Sequence, residues 1–137
     1  GVSGCPRNCA EATCKDIGIV CVDSGFQISI GGAAGMDVRE TELLCQVATE
    51  DEVMDVVKAV TQSYRENAKY LDRIYKWMGK VSLEWIQEQI ADLEVRAALV
   101  ARFDLSQTIY RKDPWAQHVE KAETYQPVAN LTLEAAE

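Results

Sequence analysis

Cys5 and Cys9 are the residues of this chain with the clearest chemistry, in the run Gly4-Cys5-Pro6-Arg7-Asn8-Cys9-Ala10-Glu11-Ala12. A proline and a turn-prone asparagine lie between the two thiols, and a helix-forming run follows. That pattern predicts a tight turn at or just before a helix N-terminus. Unpaired backbone N–H groups and the positive end of a helix dipole favour thiolate there, and thiolate is the form that ligates iron or zinc. A ligand pair this close to the first residue is expected to be half of a larger site.

Spacing alone leaves two readings open for the pair, a metal or cluster role and a chemically idle turn. A zinc ribbon would repeat a C-x2-C knuckle, and no second knuckle or suitably spaced histidine is present. A thioredoxin-like redox centre would carry C-x-x-C after a strand, which is also missing. Cys21 and Cys45 fall in predicted strands, where buried inert thiols are usual, and Cys14 falls in a predicted short helix. Gly31-Gly32-Ala33-Ala34-Gly35 lets a backbone turn or approach a ligand closely, but it lacks the spacing of a phosphate-binding loop, so a flexible connection explains it equally well.

The other polar residues read as structural. His118, the only histidine, sits among polar neighbours as a solvated helix position. Glu50, Asp51 and Glu52 suit the first turn of a helix. Glu40 and Glu42 read as solvent-facing loop acids, and Arg65, Lys69, Arg73 and Lys76 as an exposed helix face. Trp77, Trp85 and Trp115 are expected to pack between helices or against a further part of a larger enzyme. No residue of the chain stands out as catalytic.

The elements that must position the thiols follow from local pattern. A short helix is expected from Ala10 to about Asp16, closed by Gly18 as a C-terminal glycine. Ile17–Val22 is a β-branched run, Asp23-Ser24-Gly25 a turn, and Phe26–Ile30 alternates apolar and polar residues, which together predict an antiparallel hairpin. Leu43–Val47 is a third strand. Thr49 and Glu52 form a capping box that opens a long helix. Its apolar face runs through Val53, Val56, Val57, Val60, Tyr64, Ala68, Leu71, Ile74, Tyr75 and Met78, reaching Trp77 and stopping at Gly79. Ser82 caps a second helix whose narrow seam is Leu83, Ile86, Ile90, Leu93, Ala97 and Val100, suited to packing on the first as a helical hairpin. Asp113-Pro114 opens a short helix with Trp115 and His118. Beyond about Lys121 the chain turns small and polar.

Bulk properties bound the function. At 137 residues, 47% hydrophobic and 26% charged, the chain suits one globular domain. A formal charge of −8 argues against nucleic acid or an anionic membrane as partner, and against anion capture by this segment alone. No apolar run approaches the ~20 residues a spanning helix needs, and residues 1–20 lack a signal peptide's basic start and apolar middle. The first methionine is Met36, which points to a start inside a longer reading frame or after processing. Five cysteines, an odd number, read better as reduced thiols of a cytoplasmic metalloprotein than as a disulfide framework.

Gly-Cys-Pro-Arg-Asn-Cys-Ala-Glu-Ala resembles the second cysteine pair of the sirohaem-dependent nitrite and sulfite reductases. The likeness continues through the hairpin, Ile30-Gly31-Gly32 and Ala48-Thr49-Glu50, over roughly residues 1–78. Its nearest form is the large subunit of the bacterial NAD(P)H-dependent assimilatory nitrite reductases, which carries a helical extension like residues 80–120. In that family four cysteines, C-x5-C and C-x3-C, hold one [4Fe–4S] cluster, and the last also bridges it to the sirohaem iron. The resemblance therefore implies that Cys5 is a cluster ligand and Cys9 both cluster ligand and axial thiolate to sirohaem. Arg7 and Asn8 would occupy the turn set against the sirohaem carboxylates, although Arg7 stands where some relatives have Asn, and the glycine loop of residues 31–35 would pass near the cofactor pocket.

The expectation is an α+β chain: a small mostly antiparallel sheet with a long helix, followed by a helical extension. Residues 1–78 would be the C-terminal part of a sirohaem/iron–sulfur domain, 79–120 the extension and 121–137 a tail. The implied parent reaction reduces nitrite to ammonium, electrons passing from NAD(P)H through FAD on other domains to the cluster and sirohaem. The first cysteine pair and the basic anion-binding residues are absent from these 137 residues, so the segment alone would be inactive and without metal of its own. Upstream domains of the same polypeptide would be its partners, with nitrite as substrate and a homodimer of the isolated segment as a consequence of exposed apolar surface. The alternatives are a sulfite reductase segment, or a non-enzymatic helical module with a zinc-binding or empty cysteine pair.

Overall fold

Ile17–Val22 (β2) and Gly25–Ile30 (β3) form the antiparallel hairpin that their β-branched and alternating patterns require, joined by Asp23-Ser24 with Ile17 opposite Ile30 and Val22 opposite Gly25. Gly25 has φ +120, and a Cβ there would lie 2.2 Å from the Val47 carbonyl oxygen. The computed structural model describes residues 1–110. Val2–Ser3 (β1) adds a short parallel edge to β2. Ala33–Ala34 (β4) and Val38–Arg39 (β5) make a separate two-stranded ribbon. Glu42–Val47 (β6) completes the main sheet in the order β1-β2-β3-β6, antiparallel to β3. A bulge between Ile28 and Ser29 places one extra residue, Leu44, on β6, and Leu44 is buried in the core. The sheet is small and mostly antiparallel, as expected.

Four helices follow: Glu50–Asn67 (α1), Ile74–Val81 (α2), Leu83–Ala91 (α3) and Leu93–Tyr110 (α4). The capping box is formed in both directions. Glu52 N–H donates to Thr49 Oγ1 at 3.3 Å, and the Thr49 and Ala48 N–H groups donate to Glu52 Oε2, each at 3.0 Å. Trp85 N–H donates to Ser82 Oγ, so Ser82 caps α3.

Three expectations are corrected. The short helix from Ala10 to Asp16 is only a single 3-10 turn, Ala12–Cys14, because Glu11 takes a left-handed conformation (φ 55) where a helix would begin. Gly18 is not its terminator but lies within β2. The single long helix to Gly79 is two helices. α1 ends at Asn67, Leu71 adopts φ 69, and α2 runs straight through Gly79. The Tyr64 hydroxyl donates to the Asp72 carbonyl and Asp72 pairs with Lys80, which stabilises the break. The second long helix is also split, at Asp92, whose Oδ1 accepts from the N–H groups of Glu94 and Val95 and so starts α4.

The core is one continuous cluster from the sheet into α4: Ile28, Ile30, Leu44, Val53, Val56, Val60, Trp77, Ile86, Ile90 and Leu99 among others. Trp77 is fully buried, with Tyr64 edge-on at 5.7 Å and Trp85 edge-on at 6.5 Å. Of the seam expected on the second helix, Leu93 and Ala97 are exposed and Leu99 takes the buried position. α4 packs on α1, where Lys58 pairs with Asp104 at 3.0 Å and Glu66 with Arg102 at 2.7 Å. Gln87 Nε2 on α3 donates to the Leu43 and Leu44 carbonyls, covering the free edge of β6. Trp115, His118 and the short helix from Asp113 lie outside the described residues.

Candidate functional site: the thiol loop

The loop from Gly4 to Glu11 joins β1 to the 3-10 turn, and it holds Cys5, Arg7 and Cys9 exposed with Asn8 half-buried. Pro6 stands inside a turn closed by the Asn8 N–H on the Cys5 carbonyl at 3.1 Å, which matches the preset φ that proline brings to such turns. A second turn follows at once, closed by Glu11 N–H on the Asn8 carbonyl at 2.9 Å. A three-residue turn has no macrodipole to offer the thiols, so the expected helix N-terminus is replaced by this double turn.

The glycine loop and Thr41 meet the segment that follows the thiol loop. The N–H groups of Gly31 and Gly32 donate to the Asp16 and Lys15 carbonyls at 2.9 and 3.0 Å, and Thr41 N–H donates to the Thr13 carbonyl at 2.9 Å. A Cβ on Gly32 would lie 2.6 Å from the Lys15 carbonyl oxygen, and one on Gly18 would lie 2.2 Å from that of Ala12. These glycines are therefore seats for the turn that follows the thiols, a role neither the C-terminal-glycine reading nor the flexible-loop reading supplies. Gly31 and Gly32 are buried, while residues 34–39 are exposed.

Arg73 does not lie on an exposed helix face as the pattern suggests. It stands in the α1–α2 break and clasps Asp16, Nε to Oδ1 at 3.0 Å and a terminal nitrogen to Oδ2 at 2.7 Å. The remaining cysteines stand outside the thiol loop. Cys14 Sγ donates to the Glu11 carbonyl at 3.1 Å, and Cys21 and Cys45 are half-buried in β2 and β6. Burial pushes the Cys45 thiol above its ordinary range, an effect Arg96 opposes.

Ser3 and Thr13, which hydrogen-bond Asn8 from either side, are the residues missed by sequence reasoning. They stand five positions from Asn8, a spacing that belongs to neither helix nor strand periodicity.

Cys5 and Cys9 fit two positions of a thiolate-held iron–sulfur cluster: soft donors, exposed, on a backbone fixed by two turns. Among the described residues no group of three or more His, Cys, Asp or Glu side chains converges on a metal position. No four-cysteine set is assembled among them.

The chain thus carries an exposed C-x3-C pair on a loop that leaves the edge of a small, mostly antiparallel sheet backed by helices. The family described as the nitrite and sulphite reductase 4Fe-4S domain matches residues 1–98, and the chain belongs to it. Its relatives include a nitrite reductase [NAD(P)H] of Bacillus subtilis (strain 168), 40% identical over 123 residues, covering 90% of this chain and 15% of that protein. An assimilatory nitrate reductase electron transfer subunit of the same organism is 32% identical over 70% of the chain and 12% of its own length. An assimilatory-type sulfite reductase of Nitratidesulfovibrio vulgaris is 29% identical over 66% of the chain and 41% of its own length. The chain thus spans a minor part of each of these proteins. Among the described residues no helix is long and apolar enough to cross a membrane.

Proposed function

We propose that this chain is the C-terminal part of a cytoplasmic assimilatory nitrite reductase that reduces nitrite to ammonium with NAD(P)H-derived electrons. The observation that carries the reading is the exposed Cys5–Cys9 pair on its double turn, within a chain of this family and 40% identical to a nitrite reductase [NAD(P)H] over most of its length. Cys5 and Cys9 would be two of the thiolates that hold the [4Fe–4S] cluster, and Cys9 would also hold the sirohaem iron. When bound, these groups supply the electron storage and the anion-binding iron that no side chain here provides.

The chain's own residues then have separate tasks. The thiols of Cys5 and Cys9 hold metal. Arg7 is exposed in the same turn, where a carboxylate-bearing cofactor edge would meet its guanidinium. Gly18 and Gly32 seat the turn that follows the thiol loop, and Arg73 fixes Asp16 just after it. Residues 1–78 would complete the sirohaem/iron–sulfur domain of the parent, 79–120 form a helical extension and 121–137 a tail. Exposed Met36, Val38 and Leu71 would face the upstream domains of the same polypeptide. In isolation that surface favours a dimer, which light scattering would register and a strict monomer would refute.

Similarity to the assimilatory-type sulfite reductase supports sulfite reduction as the second reading. The test is product analysis with the full polypeptide and a chemical reductant. Ammonium from nitrite supports the first reading and sulfide from sulfite at greater efficiency the second. The 137 residues alone should turn over neither anion, and turnover by them would contradict the proposal that the site is shared.

A further inference from the structure

Asn8 is the junction of the thiol loop. Its backbone has φ 53, a left-handed conformation that asparagine tolerates better than most side chains. The two turns of the loop share it, with Cys5 opening the first and Cys9 lying in the second. Its side chain is turned inward. Oδ1 accepts from Ser3 Oγ at 2.9 Å and from Ala12 N–H at 2.8 Å, which occupies both lone pairs, and Nδ2 donates to Thr13 Oγ1 at 2.8 Å. Ser3 is buried, 3% exposed, and its Oγ also accepts from Ala10 N–H at 3.2 Å. Because Ser3 pairs with Val20 across β1 and β2, one run of hydrogen bonds leads from the sheet edge through Asn8 to both sides of Cys9.

We propose that Asn8 is a positioning residue that presets the Cys5 and Cys9 thiols for two-point capture of a thiophilic metal centre, acting from within the loop. The inference rests on the reading of Cys5 and Cys9 as ligands. A five-residue chelate loop that is free must be ordered when metal binds, and that cost weakens binding; a loop already held at the sheet edge avoids it. With its carbonyl oxygen committed, Asn8 serves the centre through the geometry of Cys9.

Titration of Cd2+ alone into the reduced 137-residue chain, followed by sulfur-to-cadmium absorption, tests this, with circular dichroism establishing that each variant is folded. Cys5→Ser and Cys9→Ser should each remove the tight site. Asn8→Gly keeps the left-handed backbone and deletes three hydrogen bonds, so binding should weaken about tenfold. Thr13→Val deletes one of them and should weaken it about threefold. Asn8→Asp keeps both acceptor contacts and the shape, and should stay within about threefold of the native chain. Native-like affinity in Asn8→Gly, with the site still lost in both cysteine variants, overturns the role of Asn8 and leaves the ligand reading standing. Failure of Asn8→Asp to restore binding overturns it too. Should Asn8→Gly not fold, unchanged affinity in Thr13→Val is the overturning result. Cd2+ binding indifferent to Cys5→Ser and Cys9→Ser removes the ligand reading and this inference together.

Discussion

Arg73 reaches back across the chain to hold both carboxylate oxygens of Asp16, while the Asp16 carbonyl accepts the N–H of Gly31. One arginine in a helix break thereby steadies the segment that joins the thiol loop to the sheet. The pair is half-exposed, so its contribution to global stability is small. Its local effect should be larger than its global one. In Arg73→Ala the amide protons of Gly31 and Gly32 should exchange several-fold faster, at a melting temperature within a few degrees of the native chain. Unchanged exchange at both amides would show that the clasp steadies nothing.

Gly18 and Gly32 should be intolerant of a methyl group where Gly79 is not. Adding Cβ at Gly18 or Gly32 drives it into the backbone of the turn that follows the thiol loop. Gly18→Ala and Gly32→Ala should each cost about 2–3 kcal/mol in denaturant unfolding. Gly79 lies within α2, and a methyl group added there would meet nothing within 4 Å, so Gly79→Ala should stabilise by about 0.5–1 kcal/mol.

Trp77 fills the junction of α1, α2 and α3, and Trp77→Ala should cost about 3–5 kcal/mol. Its buried Nε1 has no hydrogen-bond partner among the described residues. Trp77→Phe removes that unpaired group along with part of the ring, so it should cost clearly less than Trp77→Ala in the same unfolding experiment.

Glu52 gives α1 a pH-dependent start. The N–H groups of Thr49 and Ala48 hold its carboxyl below the ordinary carboxylate range. A group whose pKa is lowered in the folded state stabilises fully above its unfolded value, about 4.3 for glutamate, and loses that contribution as pH falls through the folded value. Thermal melts of the native chain and Glu52→Gln should therefore differ near neutrality and converge in acid. A gap that stays constant from about pH 7 to strongly acidic pH would assign the effect to something other than the carboxylate.

The hairpin, the capping box and the Ser82 cap are legible in the sequence because each rests on residues close along the chain. The α1–α2 break is not. Ala68, Leu71, Ile74 and Met78 keep a helical rhythm across it, while the contacts that stabilise it, Tyr64 to Asp72 and Arg73 to Asp16, depend on the folded arrangement. Gly18 looks like a helix terminator because its steric partner, the Ala12 carbonyl, is visible only after the turn has packed on β2. At the site the cysteines and the turn are plain from residue type. The hydrogen bonds of Asn8 with Ser3 and Thr13 are hidden by a spacing that matches no regular element.

The central proposal is that the thiols of Cys5 and Cys9 complete a cluster shared with the rest of a longer polypeptide. Iron content and visible absorption of that full polypeptide, beside its Cys5→Ser and Cys9→Ser variants, test it most directly. The expected result is a strongly coloured protein with about five iron atoms per chain, four in the cluster and one in the tetrapyrrole, and loss of cluster iron in both variants. A colourless native protein, or one whose iron and spectrum are untouched by either substitution, would contradict it.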